Sequence, residues 1–191
     1  MRETKPMTTG FARACEWGSL IGAFLGSTGS LYLSLGMGLN ACPLCFYQRT
    51  FVFGILGVLA MSSLAGSRIP RGLSCLLITP LALGGLGTAV FHVRLELKGT
   101  LECPDGILAL GTAPQQSLAV FTVLSLLAVA GACASLEAGG RRKTLAGIAL
   151  GILLALGCVL SAPPLPPAKV RPSKAEGYEL KGCEPAPARA P

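Results

Sequence analysis

Five long runs of apolar residues, separated by short polar connectors, dominate the pattern of this chain. Each run can cross a hydrocarbon core of about 30 Å, which takes roughly 20 helical residues. Helices are expected because a single apolar segment in lipid satisfies its backbone hydrogen bonds only in that form. The predicted spans are 17–39, 46–65, 73–91, 117–136 and 144–162.

Two of these spans carry small residues in a pattern that predicts close helix packing. The first has a four-residue repeat of them, which lets helix backbones approach each other in a membrane. Its members are Gly18, Gly22, Gly26, Ser30, Ser34 and Gly38. The third contains Pro80 followed by Gly84, Gly85 and Gly87, which predicts a kinked and closely packed helix.

The composition supports a polytopic membrane protein. Of the 191 residues, 51% are hydrophobic and only 13% are charged, whereas a soluble domain carries about 25% charged residues. The net charge of +7 comes from short basic clusters between the apolar runs. Such clusters are typical of membrane topology signals rather than of a nucleic-acid-binding surface, so no nucleic acid partner is expected.

The basic clusters also predict the orientation. Three of them fall on one side of the bundle, which the positive-inside rule makes cytoplasmic: Arg2, Lys5 and Arg13; Arg68 and Arg71; and Arg141, Arg142 and Lys143. The first connector, the loop 92–116 and the tail then lie outside. The basic residues of the tail oppose this placement, although charges far from the last span carry little weight. We expect a bundle over 1–163 and a Pro-rich, irregular extracytoplasmic tail over 164–191.

The eight cysteines divide by position. Cys15, Cys75 and Cys133 lie in or near apolar segments, where a small buried thiol is inert by default. Cys158 is intermediate. The remaining four lie outside the segments and share the predicted outer, oxidising side; they are Cys42, Cys45, Cys103 and Cys183.

Cys42-Pro43-Leu44-Cys45 favours redox cycling over other uses of a CxxC motif. Zinc needs a second pair or histidines at ligand spacing, and the chain has one histidine and no second CxxC. Haem attachment needs CxxCH, and a lipoprotein signal would have a shorter apolar core. If the second helix starts just after Leu44, Cys45 lies at its N-terminus, where amides and the helix dipole favour a thiolate.

Arg49 lies four residues beyond Cys45, one turn deeper on the same helical face. Two roles are open for this permanent cation. It could snorkel to the lipid head groups, or it could hold an anionic thiolate or the carbonyl of a lipid-soluble acceptor.

The stretch Cys42-Pro43-Leu44-Cys45-Phe46-Tyr47-Gln48-Arg49 resembles the signature of the disulfide bond formation protein B (DsbB) family. The resemblance implies a four-helix bundle, here with a fifth transmembrane helix, that binds a quinone (ubiquinone or menaquinone). It also implies that Cys45 faces the quinone, that Cys42 exchanges disulfides and that Arg49 positions the quinone. His92 matches a place where family members carry a quinone-side histidine, although a lone histidine at a helix end is often a plain interfacial residue.

The chain departs from the family pattern at the second cysteine pair. The best-known members hold both cysteines in the second outer loop, which here contains only Cys103. We expect its partner to be Cys183, because a tail of ~20 extended residues reaches ~60 Å. Cys158, or no partner in this chain, are the alternatives.

The resemblance thus implies a protein-disulfide:quinone oxidoreductase of the bacterial inner membrane, with its N-terminus in the cytoplasm and CxxC outside. It would reoxidise a DsbA-like protein of thioredoxin fold: Cys103, freed from its disulfide, attacks Cys42, and electrons pass to the quinone. Two alternatives remain open. One is a reductase resembling vitamin K epoxide reductase, and the other is a non-catalytic scaffold or metal carrier.

Overall fold

The computed structural model describes residues 6–65, 72–135, 140–162 and 182–185. Within these ranges five long helices form the molecule: α1 (Pro6–Leu31), α2 (Pro43–Ala65), α3 (Leu73–Leu97), α4 (Ala113–Ser135) and α5 (Gly140–Leu160). A π-helical turn, Tyr32–Gly36, extends α1, and a 3-10 turn, Ile107–Ala109, precedes α4. Two short strands, β1 (Leu101–Glu102) and β2 (Glu184–Pro185), pair antiparallel.

The five predicted helices are all present, and the expected helical membrane bundle is confirmed. Four of them are long and apolar enough to cross a membrane: Pro43–Ala65, Leu73–Leu97, Ala113–Ala134 and Arg142–Leu160. Helix α1 is not among these four, because its glycines and serines lower its hydropathy. Its role as a fifth span remains a prediction.

The helix ends differ from the predicted spans, most of all in the first helix, which begins at Pro6 rather than at Trp17. Helix α3 runs to Leu97 rather than to Phe91, and α2 begins at Pro43 rather than at Phe46. Apolar runs report only the part of a helix that contacts hydrocarbon, and polar residues continue the helix into the interface. Several sequence features lie outside the described residues: Arg2, Lys5, Arg68, Arg71, Leu136 and the Pro-rich segment 163–167.

Helix α3 lies at the centre of the bundle, where it packs against α2, α4 and α5, while α1 closes the other side on α2 and α4. The core between α2, α3 and α4 contains fully buried Ile55, Leu59, Ile78 and Leu124. Exposed apolar side chains cover the outer surface, as expected for helices in contact with lipid.

The small residues of α1 pack as predicted. A Cβ added at Gly18, Gly22 or Gly26 would meet Leu127, Leu124 and Val120 of α4 at 3.2, 3.2 and 3.1 Å. These glycines therefore set the distance between α1 and α4. The two serines of the repeat, Ser30 and Ser34, instead accept hydrogen bonds from Arg49.

Close packing also holds for the glycines of α3. A Cβ at Gly84 would approach the Phe51 ring at 3.0 Å, and one at Gly85 would overlap the Phe121 ring. Phe121 is 2% exposed, so it has little room to move. Pro80 lies inside α3, and Gly151 of α5 packs directly onto it. A Cβ added at Gly151 would lie 3.1 Å from the carbonyl oxygen of Pro80.

We predict that Gly85→Ala destabilises the bundle although alanine is the better helix former. Overpacking of this kind costs about 1–3 kcal/mol, which exceeds the gain of about 0.5–1 kcal/mol from helix propensity. Gly57→Ala in α2 is the matched control, because no atom lies within 4 Å of its added Cβ. Thermal unfolding in detergent should give a lower midpoint for Gly85→Ala and an unchanged or higher one for Gly57→Ala. Equal midpoints would contradict the packing described here.

Candidate functional site

The CxxC motif begins helix α2. Pro43 is the first helical residue, a position that suits proline because its missing N–H has no intrahelical partner there. Cys42 is the N-cap: its carbonyl oxygen accepts the first intrahelical bond, from Phe46 N–H at 3.0 Å. Its sulfur also accepts the Cys45 backbone N–H at 3.3 Å, as N-cap side chains do.

This geometry corrects the sequence interpretation of the helix start. The sequence interpretation places the helix start just after Leu44, whereas the helix begins at Pro43, so Cys45 lies in the first turn rather than at the first helical residue. Cys42, rather than Cys45, accepts the N-terminal amide. The sequence did not reveal this because apolar periodicity does not mark N-caps, whereas proline at the first helical position could have done so.

The two sulfurs of the motif form a reduced pair. Cys42 and Cys45 are free thiols, and their Sγ atoms lie 2.9 Å apart. A hydrogen bond from the Cys45 thiol lowers the pKa of Cys42 to about 5, with a smaller contribution from His92 and against the opposing effect of burial. Cys42 is therefore ionised at neutral pH.

His92 is fully buried on α3 and lies between the cysteines. Its Nε2 atom is 3.8 Å from the Cys42 sulfur and 3.6 Å from the Cys103 sulfur. On the other side of the ring, the Gln48 side-chain amide lies 3.4 Å from Nδ1. A single imidazole thus touches one member of each cysteine pair.

Cys103 is joined to Cys183 in a disulfide that closes 80 residues of chain. This is the expected pairing, whereas Cys158 is a free thiol on α5. Cys183 reaches the bundle because β2 pairs with β1 in the register Leu101↔Pro185, and Gly182 bridges to Asn40. The tail segment 182–185 is therefore held between the loop before α2 and the loop after α3.

The remaining cysteines lie away from this group. Cys15 and Cys75 are buried together in a small apolar cluster with Ala132, as the inert interpretation predicts. Cys133 is exposed on α4, so its predicted burial is wrong within the isolated chain.

A cavity of about 180 Å³ adjoins the CxxC pair. It lies among α1, α2 and α4, and Cys45, Arg49 and Cys183 line it together with Gln116 and Phe121. For scale, a protein cavity of about 150 Å³ is large enough for a benzene molecule. Among the described residues, His92 does not line this cavity; its ring lies against the sulfurs instead.

Arg49 is fixed towards the cavity by α1. Its Nε atom donates to Ser30 Oγ at 2.9 Å, and Nη2 donates to the Ser30 carbonyl at 3.0 Å and to Ser34 Oγ at 2.6 Å. Its Cζ atom lies 5.8 Å from the centre of the Phe46 ring. These contacts hold the guanidinium inside the bundle and account for its direction without lipid head groups.

The structure therefore brings five of the six predicted site residues into one group, Cys42, Cys45, His92, Cys103 and Cys183, and places Arg49 beside them on the cavity wall. Their roles in catalysis and in binding remain predictions. Three residues were missed by sequence reasoning: Gln48, Ser30 and Ser34. The two serines were hidden in a repeat of small residues, and Gln48 lies inside the motif itself.

A helical membrane bundle that holds a thiol pair against a disulfide belongs to the class of membrane proteins built for thiol–disulfide exchange. Comparison with known families gives the particular one. Residues 13–162 match the model of the family "Disulfide bond formation protein DsbB", and this chain belongs to that family. Membership makes it an oxidoreductase of disulfide bond formation.

Individual relatives agree with this assignment. The chain is 29% identical over 116 residues to a "Probable disulfide formation protein" of Chlamydia trachomatis, covering 55% of this chain and 82% of that protein. It is 39% identical over 77 residues to "Disulfide bond formation protein B 1" of Burkholderia lata, covering 39% and 44%.

A third relative is a "Probable disulfide formation protein" of Deinococcus radiodurans, 36% identical over 80 residues, covering 42% of this chain and 49% of that protein. The alignments thus span less than half the length of the Burkholderia and Deinococcus proteins. No solved structure gives a significant match.

The hydrogen bond from the Cys45 thiol predicts an unusually acidic Cys42. With the inner pair reduced and the outer disulfide intact, Cys42 should be alkylated as a thiolate down to about pH 5. An ordinary cysteine has a pKa of about 8.5, and at a pH well below that value it is alkylated only slowly. Peptide-resolved mass spectrometry of iodoacetamide labelling across pH measures this. Cys45→Ala removes the main hydrogen bond and should shift the Cys42 profile to higher pH, and His92→Ala should shift it less. An unshifted profile in Cys45→Ala would contradict the assigned cause.

Proposed function

We propose that this protein is a protein-disulfide:quinone oxidoreductase of the bacterial inner membrane that reoxidises a DsbA-like partner of thioredoxin fold. The observation that carries the proposal is the gathering of a reduced pair and a disulfide: the sulfurs of Cys42, Cys45 and Cys183 and a ring nitrogen of His92 all lie within 4.8 Å of one another. Exchange of disulfides requires such contact.

The proposed orientation follows from the helix directions. The cysteines of the site lie where α1 and α3 end and where α2 and α4 begin, so they share one end of the bundle. Helix α5 begins at the other end, where Arg142 and Lys143 are exposed. Basic residues favour the cytoplasm, which leaves the cysteines and the tail 164–191 outside, beyond the bundle 1–163.

The first step of the proposed exchange opens the outer disulfide. A thiolate of the reduced partner attacks Cys103, forms a mixed disulfide and releases Cys183 as a thiolate. Cys103 is buried, so β2 must move aside, and the strand pairing that holds it involves only the two residue pairs Leu101↔Pro185 and Glu102↔Glu184. The released Cys183 is already close to Cys42.

The next step transfers the electrons to the inner pair. Cys183 attacks Cys42 in the Cys42–Cys45 disulfide and releases Cys45 as a thiolate. The second thiol of the partner displaces Cys103, and the oxidised partner leaves. Cys103 then attacks Cys183, which restores the outer disulfide and releases Cys42. The distances support Cys183, rather than Cys103 as the sequence suggested, as the sulfur that attacks Cys42.

In this scheme His92 serves the exchange between the pairs. Its Nε2 atom contacts Cys103 and Cys42. In the last step of the exchange Cys103 attacks as a thiolate and Cys42 leaves as one, so His92 can pass a proton between them. In this proposal His92 acts between the sulfurs, whereas the sequence resemblance predicts a role for it beside a quinone.

The residues around the cavity fit a quinone ring. A bound quinone would accept two electrons and two protons. Arg49, held by Ser30 and Ser34, would donate a hydrogen bond to a ring carbonyl, and the apolar wall at Val52 and Phe121 would pack on the ring. Cys45 is the cysteine of the motif that lines the cavity, which makes it the one placed to reach the acceptor.

The proposed electron path predicts complete loss of activity in the inner-pair variants. Cys42→Ser and Cys45→Ser should each abolish quinone reduction by a reduced thioredoxin-fold partner, followed by quinone absorbance with ubiquinone and menaquinone analogues. Cys158→Ser is the matched control. This free thiol on α5 takes no part in the proposed exchange, so its replacement should leave the rate unchanged. Full activity in Cys45→Ser would disprove the scheme.

Arg49 should affect the quinone more than the protein partner. Arg49→Met removes a charge-assisted hydrogen bond of about 1.5–3 kcal/mol, so the KM for quinone should rise by roughly 10- to 100-fold, with the KM for the partner protein nearly constant. Ser34→Ala, which loosens the guanidinium, should have a smaller effect in the same direction. Arg94→Met is the control, since Arg94 is exposed at the end of α3. Equal KM changes for quinone and partner would count against the proposed role.

A further inference from the structure

We propose that the fully reduced protein binds one Zn²⁺ ion through Cys42, Cys45, His92 and Cys183. The sequence argued against zinc because it has no second CxxC and one histidine. The fold supplies the missing ligand from the tail: one donor atom from each of these four residues lies within 4.8 Å of the others. Three thiolates and an imidazole form a common structural zinc site.

The spacing of the donors suits a tetrahedral ion. Zinc–sulfur and zinc–nitrogen bonds of about 2.3 and 2.0–2.1 Å place neighbouring donors roughly 3.5–3.8 Å apart. The distance from Cys42 Sγ to His92 Nε2 is already 3.8 Å. The Cys42 and Cys45 sulfurs, 2.9 Å apart, would have to separate by less than an ångström, which side-chain rotation at a helix start permits.

A second observation concerns the other nitrogen of His92. Metal-bound histidines usually donate this N–H to a fixed oxygen, which orients the ring. The Gln48 amide lies 3.4 Å from Nδ1 and is 6% exposed. With its oxygen turned towards the ring, an orientation that exchanges two nearly identical atoms, Gln48 accepts the Nδ1 proton. Nε2 is then left with a lone pair directed at the sulfurs.

Redox state controls this site. Oxidation of Cys42 and Cys45 removes two ligands, and the Cys103–Cys183 disulfide removes a third, because thiolates and not disulfide sulfurs bind the metal. The complete set therefore exists only when both pairs are reduced. Zinc would then withdraw three sulfurs from exchange and hold the protein in its reduced form. This inference does not depend on a quinone as the acceptor.

The decisive experiment compares two variants that both destroy the outer disulfide. Cys103→Ala leaves all four ligands in place, whereas Cys183→Ala removes one. Full-length protein in detergent, in a Cys133→Ser background that lacks the exposed thiol, is reduced anaerobically and titrated with Zn²⁺ against a chromogenic chelator. We expect one ion per chain in the parent and in Cys103→Ala, and at least about 100-fold weaker binding in Cys183→Ala. Gln48→Leu, which removes the partner of His92 Nδ1 but no ligand, should weaken binding by only about 10- to 100-fold.

Spectroscopy with Co²⁺ gives a separate measure. The intensity of the thiolate-to-cobalt absorption should fall by about one third in Cys183→Ala, from three thiolates to two, and stay unchanged in Cys103→Ala. Equal zinc affinity in the two variants, or equally tight binding by the oxidised parent, would overturn the proposal. Since both variants lose the same disulfide, a general loss of folding would affect them alike.

Discussion

The start of helix α2 at Pro43 determines where each sulfur of the CxxC pair lies. Cys42, as the N-cap, stays outside the helix and contacts His92. Cys45 is in the first turn, and Arg49 lies one turn further on the same face, so both line the cavity. One helix start thus separates the two sulfurs, with one directed to the outer disulfide and the other to the cavity.

The opposite half of the site depends on a much weaker interaction. Cys183 is held by a strand pairing of two residue pairs and by the bridge between Gly182 and Asn40. Pairing this short gives little stability by itself, so the disulfide to Cys103 is a main link between tail and bundle. When that disulfide opens, the covalent link between tail and bundle is lost. The covalent state of the outer pair therefore also controls the position of one of its own members.

The sequence predicted the bundle and the chemistry better than it predicted the contacts. The apolar runs and CxxC, with Arg49 four residues on, are local patterns, and they identify the helices and the redox pair. The contacts of Arg49 with Ser30 and Ser34 are not local, since 19 and 15 residues separate them. Those serines continue a repeat of small residues whose first three members pack against α4. The periodicity alone therefore does not distinguish the residues that pack against α4 from the two that bind Arg49. Likewise, the approach of Cys183 to Cys42 depends on a tail whose composition predicts no regular structure.

The closeness that disulfide exchange requires has an unavoidable chemical consequence. Sulfurs that can attack one another must lie within a few ångströms, and a histidine that can pass their protons must touch them as well. Thiolates and an imidazole at such distances are also the preferred ligands of soft divalent metals. In this chain the inner disulfide removes two of the ligands and the outer disulfide removes one, so the metal site is incomplete whenever either pair is oxidised. When no acceptor removes electrons from the inner pair, the protein becomes fully reduced. Only in that state do disulfide exchange and metal binding compete for the same sulfurs.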